Sequence, residues 1–163
     1  MSSLKHSTIR PVTLTQLLSV EHCGEDVPLK LDGADLHRVK FIGMLSKKPP
    51  VHTSTCSVYL LQDALSSASI AVLVYNLSDE DEDVDDFSGD TKKAAASTKP
   101  PVIFEPDMYY ACFGALRFMK KQRGTPKTNV HVELHQARKL TNMNELTFHG
   151  LEALHTHLSF TRK

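Results

Sequence analysis

The sequence has no tryptophan, only three cysteines, and no apolar run long enough to cross a bilayer as a helix. Its first ten residues lack the apolar stretch of a secretory signal, so we expect neither export nor a membrane anchor. The cysteines, Cys23, Cys56 and Cys112, are odd in number and far apart, which predicts reduced thiols in a cytosolic or nuclear protein. Because no C-x-x-C pair occurs, a structural zinc site is not expected.

Signatures of catalysis are also missing. The sequence contains no Gly-rich phosphate loop, no nucleophile elbow and no convergent carboxylate pair. The segment from His131 to His135 resembles a zinc-hydrolase motif, but its Glu is at the wrong position for H-E-x-x-H. On a strand these two imidazoles would point the same way about 13 Å apart, too far for one ion. The sequence therefore predicts a protein that is not an enzyme and uses no cofactor or metal.

The net charge is zero, yet the two signs are segregated along the chain. Eight of the 19 acidic residues lie between Asp79 and Asp90, which leaves 19 basic residues against 11 acidic ones elsewhere. A basic body with an acidic appendage is compatible with a polyanionic partner, whereas the total alone argues against one.

Five segments have the alternating or continuous apolar pattern of strands: 39–46, 57–62, 70–76, 108–118 and 129–140. Gly43 lies inside the first segment, as is typical where a barrel strand bends. A short helix begins near Thr13 or Thr15, and Asp32-Gly33 predicts a type I′ hairpin. Residues 77–101 are acidic and then rich in Lys, Ala, Ser, Thr and Pro, which predicts a disordered insertion.

This strand order favours an all-β fold, a five-stranded OB-fold barrel followed by an amphipathic helix. We expect a disordered tail over residues 1–12, the barrel over 13–140 and the helix over 141–163. In an OB-fold, the loops after the first strand and between the last two strands flank the binding groove. Both loops are basic here, and aromatic residues lie on the adjoining strands. We therefore predict that single-stranded nucleic acid contacts Lys47, Lys48, Tyr75, Arg117, Phe118, Lys120, Lys121, Arg123 and Lys127.

The C-terminal helix carries an apolar stripe at about 100° per residue. It is predicted from Asn142 to about Phe160, and Asn142 with Glu145 fits a capping box in type. A barrel of this size closes its own core, so we expect the stripe to bind partner helices; the alternative is that it covers the open end of the barrel. The stripe consists of Met143, Leu146, Leu151, Leu154 and Leu158.

Four segments together resemble the middle subunit of replication protein A: TLTQLL at 13–18, VKFIG at 39–43, GALR at 114–117 and MNELT at 143–147. The resemblance covers roughly residues 13–158. It implies a nuclear heterotrimer that binds single-stranded DNA in replication, repair and recombination. It also implies that the terminal helix packs with helices of a large and a small subunit. The family's two base-stacking positions fall on Val74 and Met119, one residue from Tyr75 and Phe118.

Two alternatives stay open at the level of sequence. Similar trimers serve telomeres and telomerase, and the chain could be the middle subunit of one of those. The chain could also be a scaffold subunit that places its partners with little direct DNA contact.

Overall fold

The computed structural model describes residues 8–21, 27–63, 66–75, 104–118 and 130–162. Within these ranges the chain forms nine strands and two helices. The strands are β1 (Ile9–Pro11), β2 (Lys30–Leu31), β3 (Ala34–Asp35), β4 (Arg38–Leu45), β5 (Val51–His52), β6 (Cys56–Gln62), β7 (Ser69–Tyr75), β8 (Tyr109–Phe118) and β9 (Val130–Lys139). The helices are α1 (Leu14–Leu18) and α2 (Asn144–Thr161). In this part of the chain, no helix is both long and apolar enough to span a membrane.

The five long strands close into a barrel. Around it the order is β4, β6, β7, β9 and β8, and β8 returns to β4. The pairing of β7 with β9 is parallel and the other pairings around the barrel are antiparallel. This arrangement confirms the predicted OB-fold with a terminal helix. Each of the five predicted strands matches an observed strand to within one residue at either end, because one face of each is buried and fixes the pattern.

The barrel is filled by side chains at alternate positions of the five strands. Its fully buried members include Val39, Phe41, Leu61, Ile70, Val72 and Val132. A β-bulge between Phe113 and Gly114 shifts the register of β8 against β9. A Cβ atom at Gly114 would overlap the carbonyl oxygen of Glu133 and the side chain of Val132, so only glycine allows this approach.

Two local predictions are confirmed in detail. Helix α1 begins at a capping box in which Gln16 N donates to Thr13 Oγ1 at 3.2 Å and Thr13 N donates to Gln16 Oε1 at 2.9 Å. Strands β2 and β3 form the predicted hairpin, and both turn residues have positive φ, 55° at Asp32 and 74° at Gly33.

The termini differ from expectation. Part of the predicted disordered tail, Ile9–Pro11, is strand β1, which pairs in parallel with β4. Three residues are too short for a periodic signal, and their partner lies almost thirty residues further along the chain, so only the tertiary structure orders them. The C-terminal helix begins at Asn144, and the expected capping box is replaced by a bond from Asn144 N to Asn142 Oδ1 at 2.9 Å. The predicted insertion, 77–101, lies outside the described residues.

Candidate nucleic-acid interface

The outer face of the barrel carries a cluster of three polar side chains, one on each of three adjacent strands. Arg117 on β8 and Tyr75 on β7 flank Glu133 on β9. Arg117 Nε donates to Glu133 Oε2 at 2.9 Å, and the Tyr75 hydroxyl donates to Glu133 Oε1 at 3.3 Å. Tyr75 is 53% exposed and Arg117 is also exposed, so an aromatic ring and a guanidinium group are both accessible to solvent, on opposite sides of Glu133.

The electrostatics of this cluster centre on the carboxylate of Glu133. Partial burial raises the pKa of Glu133, but the hydrogen bonds and charge of Arg117, together with Tyr75, outweigh burial and lower it overall. The negative charge of Glu133 raises the pKa of Tyr75, so this phenol stays protonated at neutral pH. At neutral pH the cluster therefore consists of an ion pair between Arg117 and Glu133 and a neutral Tyr75 hydroxyl that donates to the same carboxylate.

The surface next to Tyr75 is apolar. Tyr75 and Leu73 alternate along β7 and lie on the same face of the sheet. In the register of the sheet, Leu73 lies between Val58 on β6 and Glu133 on β9. Leu73 and Val58 are half-buried. Strands β6 and β7 thus provide an apolar floor, and beside it lies the ion-paired guanidinium group of Arg117, which suits a ligand with flat rings and negative charge.

The other predicted nucleic-acid contacts are distributed as follows. Lys47 and Lys48 are exposed in the loop after β4, which is tied to β6 by a bond from Ser46 N to Leu60 O at 2.8 Å. Phe118 is partly buried and packs against the barrel core. Four predicted cations lie outside the described residues, in the segment that begins directly after Phe118: Lys120, Lys121, Arg123 and Lys127.

Two residues of β9 were not among the predicted contacts. Glu133 is one, and its place between Arg117 and Tyr75 depends on the β8–β9 register, which the bulge at Gly114 shifts. His131 is the other; it lies opposite Arg117, it is buried, and burial lowers its pKa. Across the described ranges, no group of three or more His, Cys, Asp or Glu side chains is arranged to hold a metal ion.

Helix α2 docks on the barrel through its polar face. Its buried residues are His149 and Ala153. One ring nitrogen of His149, Nε2, lies 3.0 Å from the carbonyl oxygen of Val12, and Lys40 Nζ on β4 lies 2.6 Å from Glu152 Oε2. Burial is the main cause that lowers the pKa of His149, so this ring is neutral at pH 7 and Nε2 is the donor.

The apolar stripe of α2 consequently faces away from the barrel. Leu151 is 60% exposed and Leu154 is 51% exposed, and Met143 and Leu158 are exposed with them. Leu146 is half-buried at the border of the docked face. Phe148, which the stripe did not include, is 66% exposed and extends the same apolar surface. We call Met143, Phe148, Leu151, Leu154 and Leu158 the free face of α2.

A pocket of about 410 Å³ adjoins the start of the free face. Phe148 of α2 lines it together with Ile42 of β4 and Phe113 of β8. Lys40, Arg138 and Glu145 also line this pocket, so the apolar surface of the helix borders a depression with both apolar and charged walls.

No protein-family model matches the chain. Among curated proteins, it is 24% identical over 156 residues to replication factor A protein 2 of Schizosaccharomyces pombe. That match covers 95% of this chain, and the chain spans 44% of the length of the relative.

Solved structures with a similar fold include chains of replication protein A. A chain from a replication protein A heterotrimer bound to single-stranded DNA superposes with a TM-score of 0.67 at 24% identity, covering 95% of this chain and 99% of that one. The resemblance predicted from the sequence is confirmed. A chain of yeast replication protein A bound to single-stranded DNA matches with a TM-score of 0.58 at 19% identity, over 96% of this chain and 95% of that one. A chain of the S. pombe Stn1–Ten1 complex matches with a TM-score of 0.64 at 12% identity, over 95% of each chain. At these identities the structural matches establish a shared fold.

Proposed function

We propose that this protein is the single-stranded DNA-binding middle subunit of a replication protein A-like heterotrimer. In this proposal it acts in the nucleus in DNA replication, repair and recombination, and it has no enzymatic activity. The observation that carries the proposal is that exposed Tyr75 and exposed Arg117 both contact Glu133 on the outer face of the barrel, next to an apolar floor. An aromatic ring stacks on bases and a guanidinium group binds phosphate, so this cluster offers both kinds of contact that a single strand needs.

Support also comes from the comparisons. The solved replication protein A chains that share this fold come from complexes with single-stranded DNA. Lys47 and Lys48 add two exposed cations in a loop tied to β6, the strand next to the one that carries Tyr75. We include Phe118, Lys120, Lys121, Arg123 and Lys127 in the proposed interface, as the sequence predicts.

The experiment that tests DNA binding measures the affinity for a single-stranded oligonucleotide over a range of salt concentrations. Removing one cation that binds a phosphate should reduce the slope of log K against log salt by about 0.7, so Arg117→Gln and Lys47→Gln should each flatten it. Tyr75→Ala should weaken binding by about 1–3 kcal/mol if its ring stacks on a base.

Lys139→Gln is the matched control for this experiment, because Lys139 pairs with Glu105 at the opposite end of the β8–β9 ladder. Unchanged affinity and unchanged salt slopes in the Arg117, Lys47 and Tyr75 variants would contradict DNA contact. In that event the scaffold role stands, and the absence of ultraviolet crosslinks from DNA to this chain in the intact assembly would support it.

The free face of α2 is the proposed site of assembly. Contiguous exposed apolar residues on a helix mark a surface that a partner covers. We propose that helices of a large and a small subunit pack on Met143, Leu151, Leu154 and Leu158, with Leu146 at the edge. Leu151→Glu with Leu154→Glu should abolish co-purification of both subunits and leave the barrel folded. Retained assembly in this double variant would reject the free face as the interface.

The second candidate function is the same role in a telomere- or telomerase-associated trimer. The likeness to a chain of the Stn1–Ten1 complex favours it, since that fold match covers as much of this chain as the replication protein A match. Identification of the two subunits that co-purify with this chain distinguishes the candidates, because a general replication large subunit and a telomere-specific one are different proteins.

A further inference from the structure

An acidic residue stands at the centre of the proposed DNA-binding face. Glu133 lies between Arg117 and Tyr75, and each of its carboxylate oxygens contacts a different one of these two side chains. On charge alone, this carboxylate should weaken DNA binding, because it repels phosphate and neutralises a cation. Its removal would then strengthen binding.

The geometry of the contacts argues for the opposite effect. Arg117 reaches Glu133 through Nε, and the guanidinium group has four further N–H donors on its two amino groups. The phosphate-binding end of the side chain is therefore still available while its stem is fixed. A long arginine side chain that is already ordered loses less rotamer freedom when it binds phosphate.

Glu133 is itself held firmly. Its strand is paired on both sides, with Leu73 of β7 and Ala115 of β8 at the level of Glu133. The glycine at position 114 lets the backbone of β8 approach the backbone of Glu133 more closely than any other residue would. A carboxylate on such a rigid strand can fix the position of longer and more mobile neighbours.

We propose that Glu133 is a positioning residue for single-stranded DNA, which orients the Arg117 guanidinium and the Tyr75 ring for contact with one DNA strand. This inference rests on the proposed DNA-binding function and names a residue that acts through two others. Arg117 supplies the phosphate contact, Tyr75 supplies the stacking surface, and Glu133 fixes the distance between them.

The test uses Glu133→Gln, which keeps the shape of the side chain but removes its charge and leaves one acceptor oxygen in place of two. That oxygen can accept from Arg117 Nε or from the Tyr75 hydroxyl, but not from both. Binding of a labelled thymidine oligonucleotide of about 30 nucleotides, longer than one OB-fold covers, is measured by anisotropy on the full chain in its purified assembly. We expect affinity to fall about threefold or more, as for coupled neighbours in one network. Glu105→Gln is the charge-matched control, because it removes an exposed carboxylate that is ion-paired with Lys139, at the far end of the β8–β9 ladder. It should leave binding unchanged or slightly tighter.

A double-mutant cycle separates positioning from a general structural effect. When Arg117 is already replaced by Gln, Glu133→Gln should no longer weaken binding and should strengthen it, because only charge repulsion is left to remove. The thermal midpoints of the single variants report whether folding has changed. A loss of stability in Glu133→Gln that lowers affinity equally in both backgrounds would overturn the inference.

The outcomes distinguish this inference from the function on which it rests. If Arg117→Gln weakens binding while Glu133→Gln leaves it unchanged or tightens it, the positioning role is wrong and DNA contact stands. If neither variant changes the affinity, DNA contact through this face is wrong, and the positioning role falls with it.

Discussion

The orientation of α2 can be tested with two adjacent residues. Ala153 is buried at the docked face and is 1% exposed, whereas Leu154 lies on the free face and is 51% exposed. The two changes are Ala153→Leu, which adds atoms between helix and barrel, and Leu154→Ala, which removes atoms from the free face. If the helix were turned the other way, Leu154→Ala would destabilise the protein more than Ala153→Leu.

The expected magnitudes follow from these exposures. Added carbon atoms at a closely packed position cost about 1–3 kcal/mol, so Ala153→Leu should reduce the free energy of unfolding by that amount. Full burial of a leucine contributes about 1.5–3 kcal/mol, and Leu154 is only half covered. Leu154→Ala should therefore cost about 1 kcal/mol or less, and the higher helix propensity of alanine offsets part of that loss.

Urea denaturation of the chain without its partners, followed by far-ultraviolet circular dichroism, gives both free energies. Leu151→Ala serves as a second measurement on the free face, because Leu151 is at least as exposed as Leu154. If Leu154→Ala and Leu151→Ala each destabilise the chain more than Ala153→Leu does, the leucines pack on the barrel and the proposed assembly surface does not exist.

Three further predictions concern the barrel and the helix contact. Gly114→Ala should destabilise the fold by about 1–3 kcal/mol in urea denaturation, because the new Cβ overlaps the backbone of β9; an unchanged midpoint would show that β8 can move away. Burial raises the pKa of the Cys112 thiol to about 12, so iodoacetamide should label half-buried Cys56 well before Cys112 in the native protein, as peptide mass spectrometry would show. Burial lowers the pKa of His149, so the unfolded chain takes up a proton that the folded chain does not. Stability should therefore fall as the pH drops below the unfolded value of about 6.5, and His149→Gln should make that fall shallower.

The sequence predicted the barrel strands well because each has one buried face. Burial at alternate positions is a local pattern, and it places strand ends without knowledge of the partner strand. The hairpin at Asp32 and Gly33 was equally predictable from the sequence, since positive φ at both positions restricts the residue types there. Strand β1 was not predictable in this way, because Ile9–Pro11 is ordered by pairing with β4.

The candidate site was predictable only in part. Tyr75 and Arg117 were nominated from residue type and strand position, and the structure places both beside one carboxylate. Glu133 was missed because its neighbours depend on the exact pairing of β8 with β9. The bulge opposite Gly114 leaves one residue of β9, His135, without a partner on β8, and a shift of one residue changes which side chains meet. Gly114 inside the strand pattern is a signal for a bulge, but it does not say which residue of β9 is left without a partner.

Helix α2 is unusual in that polar contacts fix its position and leave its apolar stripe uncovered, whereas most surface helices bury the stripe. At its C-terminal end, Arg10 of β1 lies 4.3 Å from the centre of the Phe160 ring, donates to Leu31 O at 2.9 Å and pairs with Asp32. The carboxylate of Asp32 also lies 2.9 Å from His157 Nδ1 on the helix.

Hydrogen bonds and ion pairs are directional and need specific partners, so these contacts define one rotation of the helix about its axis. Apolar packing alone would not define that rotation. With His149 bonded to Val12 near the middle of the helix, turning the leucines inward would break several polar contacts and leave their groups without partners. The exposed leucines are thus a consequence of how the helix is held, and a partner that covers them gains apolar burial without disturbing the contacts that orient the helix.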